Sequence, residues 1–280
     1  MYLTDFIYDG YKLSDFGCIV GCSVTDVNEN PTMGSNVKLE TVNNNGSHTN
    51  EIIDANYDEP IVMTFDIIKY SCPKSANAEE YFSDNELSFF MRWLNRQRYY
   101  KFIPLYDSND YYNLYFMGTF TEIKAIKIGK HVLGLTLTFT TNASFGFLSL
   151  PDNIFKIPSG GSFVFTNFSD EIGNIYPTSF VLTCDVSGDY IIQHKLQTET
   201  NWSRITEIKN CEAGEVINMD CIHKVITTSN TNHTTLHNDF NYVFPRLSNT
   251  LQDCENVFLV NQDCSIQISY NPIRKAGVIV

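Results

Sequence analysis

The stretch LGLTLTF, residues 133 to 139, alternates with a period of two. Leu133, Leu135, Leu137 and Phe139 fall on one side and Thr136 and Thr138 on the other. A helix cannot keep that pattern on one face, whereas a half-buried strand does so by geometry. SFVLTCDV repeats it with Phe180, Leu182, Cys184 and Val186, and YIIQHKL with Tyr190, Ile192, His194 and Leu196. CSIQISY follows with Cys264, Ile266, Ile268 and Tyr270, and IVMTFDII, residues 61 to 68, reads as a further strand. The expected class is mainly β, built from antiparallel sheets.

One segment breaks the rule. In SDNELSFFMRWLNRQ, residues 83 to 97, Ser83 and Glu86 form a capping box. Leu87, Phe90, Met91 and Leu94 then fall at helical spacing, which predicts one helix packed on a sheet. Between residues 142 and 162 a strong strand gives way to Asn, Ser, Pro and Gly before strands resume. We therefore expect two domains, 1–150 and 151–280, the second a β-sandwich. ETVNNNGSHTNEI, near residues 40 to 52, and TTSNTNHTTLHNDF, near 227 to 240, read as polar surface loops without core-forming residues.

With 32 acidic against 19 basic residues the net charge is −13, and both halves are acidic. That argues against a grip on phosphate backbones, though DNA could pass such a surface without sticking. No apolar run is long enough to span a membrane. The first strand begins with no basic and apolar leader before it, which points to folding in a cytoplasm. The eight cysteines form no C-x-x-C and read as reduced, buried thiols.

The chain offers little for catalysis. It contains neither a P-loop nor a dinucleotide fingerprint, and SGGSF at 159 to 163 lacks the spacing of a nucleophile elbow. Cys221, His223, His233, His237 and Asp239 are the one metal-like grouping, and they read as packed or solvated side chains. DSNDYYN, from Asp107, has the oxygens of a calcium loop but not its Gly and Glu. Trp202 is the single candidate glycan platform. No cofactor or metal is expected, and an enzyme is not.

FIYDGYKLSDFGCIV, residues 6 to 20, places Asp9 and Gly10 in a type I′ hairpin flanked by Phe6, Ile7, Tyr8 and Leu13. This opening resembles that of the distal tail proteins (Dit) of long-tailed phages infecting Gram-positive hosts. FMRWLNRQ, GNIYPTSFVLTC, IKNCEAGEVINMDCIHKVI and the closing CSIQISYNPIR are similar to later stretches of that family, in the same order. The resemblance implies a structural virion protein at the tail tip: a ring-forming, β-sandwich-like N-terminal domain with one helix, then a galectin-like C-terminal β-sandwich. It implies a homohexameric ring whose partners are the tail-tube protein, a tail-associated lysin or fibre, and receptor-binding or other baseplate proteins. The first hairpin, with Phe6, Tyr8, Asp9, Gly10 and Leu13, is the expected oligomer interface, testable by Asp9→Pro. The competing reading is a two-domain carbohydrate-binding adhesion protein using Trp202.

Overall fold

The computed structural model describes residues 3–21, 37–44, 46, 48–57, 59–70, 81–107 and 113–275. The fold is mainly β, and the chain divides into two compact units, Met1–Leu148 with Arg274–Val280, and Ser149–Ile273.

The first unit contains β1 (Leu3–Tyr8), β2 (Tyr11–Lys12), β3 (Cys18–Gly21), β4 (Val37–Asn44), β5 (Thr49–Tyr57) and β6 (Val62–Lys69). It continues with helix α1 (Asp84–Leu94), β7 (Tyr100–Tyr106), β8 (Leu114–Ile128), β9 (His131–Thr141) and β10 (Gly146–Leu148). Its main sheet runs β2-β1-β7-β8-β9-β6-β3, with β10 on β8. All of these pairings are antiparallel. The alternation around residue 135 does what the sequence demands: Leu135, Leu137 and Phe139 are buried while Thr136 and Thr138 are half-exposed. Against this inner face packs α1, opened by the expected Ser83–Glu86 capping box. The helix stops at Leu94 rather than continuing to residue 97. It buries Phe90, Trp93 and Leu94, so its inward stripe is turned from the expected one. Phe6, Phe65, Phe102, Phe120, Phe139 and Trp93 share this core.

The second unit contains β11 (Asn153–Ile157), β12 (Ser162–Thr166), β13 (Gly173–Ile175), β14 (Ser179–Cys184), β15 (Gly188–Leu196) and β16 (Arg204–Cys211). After these come β17 (Val216–Asp220), β18 (Val225–Thr228), the one-turn helix α2 (Leu236–Asp239), β19 (Leu247–Asn249), β20 (Glu255–Val260) and β21 (Cys264–Ser269). Sheets of order β11-β21-β14-β17-β18 and β12-β20-β15-β16 bury one core between them, and β13 pairs with β19. Phe180, Leu182, Cys184, Tyr190, Ile192, Ile266 and Ile268 all point inward, as their alternation requires. Val186 lies beyond the end of β14.

Two expectations need correction. The stretch around 40 to 52 is not a loop but most of the ribbon β4–β5. The stretch from 227 to 240 is not purely a surface excursion, because Leu236 and Phe240 enter the second core.

Candidate assembly surface

The Asp9–Gly10 turn has both residues in the left-handed region, with φ of 51° and 80°. It joins Tyr8 to its cross-strand partner Tyr11. This is the expected type I′ geometry, and Gly at the second position accepts it without strain. The flanking apolar residues behave differently from expectation. Phe6, Tyr8 and Leu13 are each 0% exposed. Phe6 stacks on Trp93 at 5.9 Å, and Tyr8 meets Phe120 edge-on at 5.0 Å. Strand β1 turns Phe6 and Tyr8 into its own unit, and Leu13 beyond the turn is buried there as well. Of the hairpin, Gly10 and Tyr11 are exposed and Asp9 is half-exposed. Asp9 pairs with Arg96 at 3.4 Å. Asp9→Pro is therefore a poor test of assembly, because Pro fixes φ near −65° and would break the turn itself.

A different surface stands open. Among the described residues, strands β4 and β5 pair only with each other. Cross-strand partners share a face, and here Val37 faces Tyr57, Leu39 faces Ala55 and Thr41 faces Ile52. The opposite face carries Lys38 with Asn56, Glu40 with Asp54 and Val42 with Glu51. A bulge at Ile53, between the Glu40 and Thr41 pairings, resets the register so that both halves keep their apolar residues together. The ribbon is thus amphipathic, yet Leu39 is 52% and Ile52 61% exposed, and neither belongs to the unit's core. A lone two-stranded ribbon is marginal in water and gains stability when its apolar face is covered.

Of the remaining candidates, His233 and Asp239 come together. Trp202 is half-buried, and the ammonium of Lys195 lies 5.3 Å from the centroid of its ring. Cys221 is buried, and burial pushes its thiol up to about 12. His223 pairs with Asp220 at 2.8 Å in an exposed turn. His233 is buried between Glu215 at 2.6 Å and Asp239 at 3.3 Å. Burial works against its charged form, but its bonds to Glu215 and Asp239 outweigh that and hold it above the usual histidine value. Glu215, which the sequence reading passed over, has a fully buried carboxylate that also accepts from Thr228. Most of the Asp107 stretch lies outside the described residues.

The geometry defines a chain of two mainly β units. Residues 1–143 match the family described as the phage tail protein N-terminal domain, and residues 145–270 match the phage tail C-terminal domain. The chain belongs to this phage tail protein family. Its fold is similar to that of the Dit protein of SPP1, described as a paradigm of the hub adsorption apparatus in phages infecting Gram-positive hosts. That likeness has a TM-score of 0.63 at 12% identity, covering 96% of this chain and 99% of that one. Chains of the phage p2 baseplate in its activated conformation also align. The calcium form gives 11% identity and a TM-score of 0.46, covering 97% of this chain and 98% of that one. The strontium form gives 10% and 0.45, covering 95% and 98%. No curated protein matches.

Proposed function

We propose that this chain is the hub subunit of its tail tip. Six copies close a ring between the tail-tube protein and the tail-associated lysin or fibre. The first unit builds the ring, and the second carries receptor-binding or other baseplate proteins. The role is structural and needs no catalysis. Family membership and the Dit-like fold support the position in the particle.

The observation that carries the ring is the ribbon β4–β5, whose Leu39 and Ile52 are exposed in the protomer and stand outside the core of its own unit. A second copy of the chain supplies the cover. Where the ribbon meets a different patch of the second copy, the contact is head-to-tail and generates a ring when the rotation closes.

Light scattering on the eluting protein at high concentration, with negative-stain images of the peak, tests this. The expected species has the mass of six 32.0 kDa chains and a central hole. A single-chain mass at every concentration would sink the self-closing ring.

A further inference from the structure

Two cations, Arg204 and Lys224, gather around two rings in the second unit, and Arg246 leaves the neighbouring strand beside them. Ile175 and Leu247 are cross-strand partners at the ends of β13 and β19, so Tyr176 and Arg246 leave that pair side by side. The Lys224 ammonium stands 2.8 Å from the centroid of Tyr176 and 5.3 Å from that of Phe244. The Arg204 guanidinium lies 5.9 Å from the same Tyr176 ring, and its Nε donates to the Phe244 carbonyl at 2.7 Å. Neither Arg204, Lys224 nor Arg246 forms an ion pair among the described residues, although the chain carries an excess of 13 negative charges. Like charges drawn to one ring repel, and the ring quadrupole offsets only part of that cost. Moreover, the Nε of Arg246 is buried without an acceptor. A buried guanidinium donor left unmatched costs free energy.

The local field agrees. His194, buried opposite Arg204 on β15, is held below its usual value by burial first and then by the charges of Arg246 and Arg204. Glu199 acts on it in the opposite sense, but its carboxylate is engaged by the Leu196 N–H at 3.0 Å.

We infer that Arg204 and Lys224, set around Tyr176, together with the adjoining Arg246, form a seat for an oxyanion, a phosphate or carboxylate group on a ligand from outside the chain. Two guanidinium forks and one ammonium match the lone pairs of such a group, and Arg is the residue suited to planar, bidentate recognition of it. The seat belongs to the second unit alone and does not depend on ring formation.

Calorimetric titration of the full chain with inorganic phosphate and with glucuronate, at constant ionic strength set by chloride, tests the assignment. The expected result is saturable binding of at least one probe, at one site per chain. Arg246→Gln and Lys224→Gln each weaken it about tenfold or more, the cost of one charge-assisted hydrogen bond. Arg98→Gln, in the first unit, leaves it unchanged. Preference for phosphate marks a phosphate-bearing ligand and preference for glucuronate a carboxylate-bearing one. No saturable binding of either probe would overturn the proposal. So would an unchanged affinity in Lys224→Gln, an exposed position where substitution does not threaten the fold.

Discussion

The indole Nε1 of Trp93 donates to the backbone carbonyl of Tyr8 at 2.9 Å, in a buried bond that spans 85 positions of sequence. It fastens the only multi-turn helix among the described residues to the first strand, one residue before the hairpin turn. Trp93→Phe keeps most of the ring but leaves that carbonyl without its partner. The expected loss is about 1–3 kcal/mol of stability in urea unfolding. A loss below about 0.5 kcal/mol would show that the bond is not what secures the helix.

The ribbon gives a prediction of opposite kind. Leu39→Asp combined with Ile52→Asp places two charges on an exposed face, so the isolated protomer should lose no more than about 0.5 kcal/mol. Assembly should fail, because burying an unpaired carboxylate is costly. Light scattering and a thermal melt on the same sample separate the two effects. A ring that persists would move the interface elsewhere.

Gly118 tests the packing between β8 and β9. A Cβ there would collide with the Phe139 ring and stand 2.5 Å from the Thr140 carbonyl. Neither neighbour is the free end of a flexible chain. Gly118→Ala should cost about 1–3 kcal/mol through overpacking, read as a shift in the urea midpoint. A neutral result would mean that the two strands separate more easily than their pairing suggests.

The Glu215–His233–Asp239 group makes the second unit pH-dependent. His233 is raised, so its contribution is fully present below about pH 6.5 and is lost as pH climbs through its folded value. For Glu215, burial raises the carboxyl, but bonds from Thr228, Glu212 and His233 prevail and hold it low. Its contribution is present above about pH 4.5 and is lost as pH falls through its folded value. Melts from pH 5 to 9 should show the alkaline decline in the parent and a flatter arm in His233→Gln. Parallel profiles would remove His233 as the cause.

Much of this fold was legible because strands with one wet face advertise themselves. Leu135, Leu137 and Phe139 had to face one way, and Ser83 with Glu86 had to open a helix. Trp93 was missed as an inward residue because it sits one position off the stripe drawn through Leu87, Phe90, Met91 and Leu94. The ribbon was missed for a sharper reason. Its bulge places Ile52 and Ile53 in succession, which destroys the period of two, and its Asn-rich tip reads as loop. Buried Glu215 and His233 are invisible to any reading that seeks cores only in apolar residues, since what makes them burial-tolerant is a partner 18 positions away. The hairpin turn was read correctly from Asp9 and Gly10, but alternation alone could not say that Phe6 and Tyr8 turn toward their own helix.

The uncovered ribbon also bears on how a ring of such subunits would fill. Each head-to-tail contact shelters one ribbon, so an open chain of any length keeps a single ribbon bare at one end. Only closure removes it. Dimers, trimers and longer arcs would all carry the same residual penalty, and the closed ring alone would be free of it. Assembly should therefore populate single subunits and complete rings, with few arcs between them.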